Sequence, residues 1–306
     1  MASLSLMFDS HYQVLLADTQ AARAIHYKIR YHVYCLERRF ENPALFPRGE
    51  EQDPWDAHAA PFIVRERASG RWVAAMRLVL PEAAQFPVET LHCLTPETTR
   101  RLRRRELVEV SRICVMHSPA PYEINSHLDR NFGAVARNGE PEILLGLLRT
   151  LFVYGLERGI EYSYLLVTDA LARLLRRIGV ALHPAGTPTE HRGLRTPYWV
   201  GLRESAAAII AKSEAIRCMA ARKALAYQPF SAFDDLMEER AAWMPPRLLP
   251  PLAAENAWRV EIGQSRPGPG AWRIAAERSK PGPGVWRGAA ERSKPGPGVW
   301  RGAAAG

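Results

Sequence analysis

The hydrophobic pattern alternates between a period of two and a period near 3.6. Residues 12–17 (YQVLLA) form an apolar run ended by Asp18 and Thr19, a strand followed by a helix-start signal. From 21 to 40, Ile25, Ile29, Val33 and Leu36 recur on one helical stripe. Residues 42–61 are polar and carry prolines, which reads as a loop. Residues 62–67 and 72–80 read as strands joined by a turn at Ala68-Ser69-Gly70-Arg71, and 107–116 (LVEVSRICVM) as a third long strand. A strong helix over 140–158, a strand over 162–168, a short helix over 170–178, a late strand over 197–203 and a further helix over 205–227 follow. This order predicts a mixed α/β sheet with a hairpin inside otherwise crossover-connected strands.

The last part of the chain has another character. Pro267-Gly-Pro-Gly-Ala-Trp272 opens a 14-residue unit that returns at Pro281 and, truncated, at Pro295. Each Pro-Gly-Pro-Gly breaks helix and strand, and one Trp per unit cannot build a core, so disorder is expected. The expected division is a body over 1–230, a helical or irregular extension and linker over 231–266, and repeats over 267–306.

Charge matters only once it is located. After residue 250, nine Arg and Lys against four Glu supply +5 of the net +9, so the body is only mildly basic. Cys35, Cys93, Cys114 and Cys218 are widely spaced with no C-x-x-C pair, which argues against a zinc cage and for a reducing compartment. The first nine residues lack a signal-peptide pattern, and the most apolar window, 143–156, is too short to span a bilayer. These features predict a soluble, cytoplasmic protein without a transmembrane segment.

Candidate chemistry lies between 25 and 116. Arg30-x-x-Val33-Tyr34 falls on the first helix, and Glu51-x-Asp53-x-Trp55-Asp56 falls in the loop after it. Arg77 lies in a hairpin strand, and Glu109-x-Ser111-Arg112 in the strand that follows. Asp53 and Asp56 taken alone would be solvated loop acids; beside Arg30 and Arg77 they can form ion pairs that organise a pocket. No His-x-x-x-His or carboxylate–His pair accompanies them, so no metal is expected. Strand alternation puts Glu109 and Ser111 on one face and Arg112 on the other. Cys35 and Cys114 read as small packed thiols rather than nucleophiles.

In order and spacing these motifs resemble the signature of the autoinducer (acyl-homoserine-lactone) synthases and their N-acyl amino acid synthase relatives, over about residues 10–200. Tyr34-Cys35 and Asp56-Ala-His58 are most similar to the acyltransferases associated with PEP-CTERM/exosortase systems. The resemblance implies a GNAT-like three-layer α/β/α fold with a mixed, mostly antiparallel central sheet. It implies an enzyme moving a medium- or long-chain acyl group from a thioester to an amine, with no bound cofactor. Glu109 is then the candidate base, Ser111 its catalytic neighbour, and Arg30, Asp53, Asp56, Arg77 and Arg112 line the substrate site. Glu109 pairing with Arg30 or Arg77 in a structural network is the competing reading.

The stretch 117–139 lacks the Gly-rich pyrophosphate turn of acetyl-coenzyme A enzymes, having only Arg130-Asn-Phe-Gly133-Ala-Val135. This favours an acyl carrier protein as donor, with acyl-coenzyme A the alternative; Ile124, Phe132 and Val135 could line an acyl tunnel. Arg100, Arg101, Arg103, Arg104 and Arg105 form the densest charge run of the body. It reads as a solvated face or as a docking site for an acidic carrier protein, and nothing beside it favours nucleic acid. Two rival functions stand beside an N-acyltransferase with a small-molecule amine acceptor: acyl-homoserine-lactone synthesis from S-adenosylmethionine, and a binding module without turnover.

Overall fold

The computed structural model describes residues 4–118, 132–212 and 214–243. All belong to the first of two units, Met1–Leu249; the second, Pro250–Gly306, holds the repeats and lies outside the described residues.

Among the described residues nine strands form the sheet, taken in chain order with the helices between them. Helix α1 (Leu4–His11) leads into β1 (Tyr12–Leu16). Thr19 then caps α2 (Gln20–Tyr31) by accepting the Ala22 amide. The helix expected over 21–40 runs on, but after Tyr31 it widens into a π-helical turn, His32–Glu37. The hairpin β2 (Ala59–Glu66) and β3 (Trp72–Val79) is followed by α3 (Pro96–Arg101) and β4 (Leu107–Val115). Then come α4 (Phe132–Glu157), β5 (Tyr162–Val167), α5 (Asp169–Ile178), β6 (Leu182–Pro184), β7 (Thr189–Glu190) and β8 (Leu194–Gly201). Helices α6 (Leu202–Lys212) and α7 (Glu214–Ala221), strand β9 (Gln228–Pro229) and α8 (Phe230–Trp243) complete it.

The sheet order is β6-β8-β5-β4-β3-β2-β1-β9, with β7 on β8. Among the described residues only β4–β5 and β1–β9 pair in parallel; the other pairings are antiparallel. Phe62 on β2 meets Tyr154 of α4 edge-on, ring centroids 5.2 Å apart. Its neighbour Pro61 pairs with Arg77 on β3, whose side chain turns to the opposite face, toward the partners of Arg30 on α2. Helices therefore cover both faces, and the three-layer α/β/α reading holds. The body does not stop at 230 as expected. Phe230 is buried, Ser231 bonds Asp18 through amide and hydroxyl, and β9 pairs with Leu15–Leu16, so α8 belongs to the same unit.

Two local features shape the centre. First, β4 and β5 pair only from Leu107↔Tyr162 to Val110↔Leu165, so beyond Val110 the two strands part. Second, the β3–β4 register slips between Ala75↔Cys114 and Arg77↔Ser111, leaving an extra residue on β4, where Arg112 takes a φ of 52°. That is a β-bulge, which re-aims a side chain. At the end of β4, the Glu37 carboxylate accepts the His117 and Ser118 amides, both at 2.8 Å, and the Ser118 hydroxyl at 2.7 Å. Against the cost of burial, these bonds and His32 hold Glu37 down to about 2. Of the stretch expected to replace a pyrophosphate turn, residues 119–131, with Ile124 and Arg130, lie outside the described residues. The backbone of 132–139 is the start of α4, and the Phe132 and Val135 side chains lie outside the description. Among the described residues no helix is long and apolar enough to cross a membrane.

Candidate active site

Asp53 and Asp56 lie on one tight 3-10 turn, Pro54–His58. The Asp53 side chain accepts the Trp55 amide at 3.0 Å and the Asp56 side chain accepts the Asp53 amide at 2.8 Å, a reciprocal cap that fixes both carboxylates. The Trp55 indole donates to the Gln85 carbonyl, tying the turn to the segment before β4.

Three guanidinium groups converge on this turn. Arg30 donates to Glu51 at 2.5 Å and to Asp56 at 2.6 Å. Arg77 donates to Asp53 at 2.5 Å, to Asp56 at 2.8 Å and to the Ser111 hydroxyl at 3.0 Å. Arg112 reaches Glu51 at 2.9 Å and Asp53 at 3.0 Å. Arg30 and Arg77 are fully buried and Glu51 is 1% exposed. Three cations against three anions balance, which is what makes so dry a cluster tolerable. Burial works against the charge on Asp56, but Arg30 and Arg77 hold its carboxyl down to about 2; Glu51 is lowered in the same way by Arg30 and Arg112.

Arg112 does not point to the opposite face from Ser111. The bulge turns it into the same cluster, beside Arg77, and its guanidinium lies 5.3 Å from the Tyr34 ring centroid. The π-helical turn supplies Tyr34, whose hydroxyl donates to the Ile113 carbonyl. Glu51 bridges Arg30 and Arg112, yet the spacing of the acidic motif alone gave it no role.

Glu109 stands apart from this network. It is 3% exposed, and its carboxylate accepts the Val88 amide at 2.8 Å. Among the described residues it makes no ion pair, so the competing reading, a pairing with Arg30 or Arg77, is not seen; their charges are taken up by Glu51, Asp53 and Asp56. Burial raises its carboxyl to about 8, opposed by the Val88 amide and Arg77. A cavity of about 160 Å³ brings Glu109, Ser111, Arg112, Arg77 and Asp53 together where β4 and β5 part, with Val110 and Leu166 at the fork. Its far wall, His191, Arg192 and Arg195, comes from the β7–β8 hairpin, which sequence reading missed. A larger apolar cavity of about 420 Å³, between α4 and α6, holds none of these groups.

The arginine run lies elsewhere. Arg105 precedes Ser111 by six residues, roughly 20 Å along an extended chain. Arg100, Arg101, Arg103 and Arg105 are exposed. Arg104 is instead tied down: it donates to the Pro81 and Ala83 carbonyls, pairs with Glu89 at 3.0 Å and covers the Phe86 ring. Cys35 and Cys114 are buried, and burial pushes their thiols up to about 11 and about 12, so neither is a thiolate at neutral pH.

Residues 29–119, which span most of the cluster, match the acetyltransferase (GNAT) domain family. No curated protein matches the chain by sequence. Among solved structures, the chain is similar to TofI in a ternary complex with an inhibitor and MTA. That match has 20% identity, covers 68% of this chain and 96% of that one, and has a TM-score of 0.49. It is similar to the CoA-dependent acyl-homoserine lactone synthase BjaI with SAM and isopentyl-CoA, at 16% identity, covering 71% and 92%, TM-score 0.46. It is also similar to FeeM, an N-acyl amino acid synthase from uncultured soil microbes, at 13% identity, covering 66% and 98%, TM-score 0.43. The chain thus has an α/β fold of the GNAT type, carries a GNAT domain over residues 29–119, and is an acyltransferase.

Proposed function

We propose that this chain transfers a medium- or long-chain acyl group from a carrier-protein thioester to the amine of an amino acid or related small molecule. The observation that carries the reading is Glu109: a buried carboxyl raised to about 8, without an ion pair among the described residues, at the fork between β4 and β5. A general base works best when its proton affinity lies near the working pH, and an ordinary carboxylate is far too weak.

In this reading the Glu109 carboxylate takes a proton from the acceptor ammonium, directly or through a water held at Ser111. The neutral amine attacks the thioester carbonyl, whose oxygen becomes an anion. Backbone amides at the fork stabilise that anion. Collapse forms the amide and expels the thiolate, which takes up a proton. Ser111 already accepts from Arg77, so its hydroxyl hydrogen is free to orient a water. Arg30, Arg77 and Arg112 with Glu51, Asp53 and Asp56 build the rigid wall against which the acceptor is placed. The exposed Arg100, Arg101, Arg103 and Arg105 attract an acidic carrier protein from a distance, while acyl-coenzyme A would bypass them. The finer likeness to PEP-CTERM/exosortase-associated acyltransferases rests on Tyr34-Cys35 and Asp56-Ala-His58.

Expression in a heterologous host, lipid extraction and mass spectrometry test the reading. N-acyl amino acids absent from the host carrying Glu109→Gln support it. An acyl-homoserine lactone as the product replaces the acceptor with S-adenosylmethionine, and no new acylated amine overturns the reading.

A further inference from the structure

Charge in the pocket does not balance on the side facing β8. Arg30, Arg77 and Arg112 are matched by Glu51, Asp53 and Asp56, and Arg192 is matched by Glu41. Arg195 is left over. Its Nε donates to the His191 carbonyl at 2.8 Å, while its two terminal amino groups have no acceptor among the described residues. Glu109, which lines the same cavity, makes no ion pair with it among the described residues.

The topology puts Arg195 in position. The β5–β8 pairing ends at Val167↔Thr196, so Arg195 is the first residue of β8 beyond the end of β5. Where β5 has ended and β4 has splayed away, Arg195 lines the same cavity as Glu109 and Arg112. The hairpin that carries it is held by a three-residue turn with Arg192 and Gly193 both at positive φ, closed by a His191 amide bond to the Gly193 carbonyl. Burial first, and then the neighbouring Arg195, lower the proton affinity of His191; burial also lowers that of Arg192, where Tyr34 opposes the shift and Arg195 adds to it. The cavity, about 160 Å³, is close in size to one that accommodates a single benzene.

We propose that Arg195 receives the carboxylate of an α-amino acid acceptor, holding it in the cavity with the amine directed at Glu109. This rests on the reading of the site as an N-acyltransferase and narrows its acceptor to molecules bearing an oxyanion beside the amine. A planar guanidinium with two free amino groups matches a carboxylate by two parallel hydrogen bonds. The phosphate of a phosphopantetheine arm shares that chemistry, and the two sources separate by which substrate Arg195 affects.

The test uses the full-length chain and the twenty amino acids, each paired with its primary carboxamide. Calorimetric titration should show at least one amino acid binding and its carboxamide binding roughly 10–100-fold more weakly. Arg195→Gln should abolish that preference by weakening the acid alone, and Arg195→Lys should restore part of it. In turnover, Arg195→Gln should raise KM for the acceptor by a similar factor while leaving kcat and the KM for the acyl donor near wild type. No binding of any amino acid, or a preference that survives Arg195→Gln, overturns the assignment. A rise in the donor KM instead of the acceptor KM assigns Arg195 to the phosphate and overturns it too. Amino acid binding that depends on Arg195, with no transfer from any thioester, would keep this site while removing the N-acyltransferase reading.

Discussion

The Glu109 carboxylate accepts the Val88 amide at 2.8 Å and, among the described residues, forms no ion pair, although Arg77 lies on the adjacent strand. Arg77 is engaged instead by Asp53, Asp56 and Ser111. Separation of a balanced ion cluster from one unpaired carboxyl divides the site into a scaffold and a titrating group, and each part makes its own prediction.

The titrating group is a cost to the fold. A carboxyl whose proton affinity is raised by folding stabilises the folded state below its unfolded value and loses that contribution as pH rises toward about 8. Glu109→Gln should therefore be more stable than wild type at pH 9, by up to roughly 5 kcal/mol, with the difference vanishing near pH 4. Urea unfolding at the two pH values measures it. Equal stability of both chains at pH 9 would mean that Glu109 is ionised there at no cost.

The scaffold behaves in the opposite way. Asp56 is held down to about 2 and Glu51 is lowered as well, so their contribution is complete above about pH 5 and is lost as pH falls toward 2. Arg30→Met leaves both buried without their main partner and should cost about 3–5 kcal/mol at neutral pH. Arg30→Met combined with Glu51→Met should cost less than the sum of the two single changes, since each alone strands a charge. Strict additivity in denaturant unfolding would count against a cooperative cluster.

The arginine run splits into two kinds of residue. Changing Arg100, Arg101, Arg103 and Arg105 to serine should raise KM for acyl carrier protein at low salt. The effect should fade once ionic strength brings screening below about 8 Å, with kcat kept throughout. Arg104→Ser should do something else, lowering the melting temperature, because its guanidinium bonds Glu89 and two carbonyls and covers Phe86. A salt-independent loss from the fourfold change would remove steering as its cause.

Much of this molecule is legible in its sequence because hydrophobic period follows burial. The strands at 12–16, 72–79, 107–115 and 162–167 fall within a residue or two of their expected bounds. Other features carry no such signal. The bulge that re-aims Arg112 occurs at a non-glycine residue with a φ of 52°, and nothing local in Ser111-Arg112-Ile113 announces it. The π-helical turn at His32–Glu37 keeps a helical pattern while changing which residues face inward, so Leu36, expected on the buried stripe, is 36% exposed. The hairpin bearing Arg195 rests on the two-residue strand Thr189–Glu190, too short for any alternation to show, and it comes to line one cavity with Arg112 only through the fold. Glu51 lay within a recognised motif, but its bridging of Arg30 and Arg112 needs the tertiary structure.

The central claim is that Glu109 is the base, and the pH dependence of kcat in wild type and Glu109→Gln tests it most directly. Wild-type turnover should rise with pH through a single ionisation near 8 and then level off. Glu109→Gln should lose roughly 10²–10⁴-fold near neutral pH, with donor and acceptor KM nearly unchanged. It should recover in part at high pH, where more acceptor amine is neutral unaided. Turnover in Glu109→Gln equal to wild type, or a loss of the same factor at every pH, would contradict the assignment of Glu109 as the group that accepts the proton.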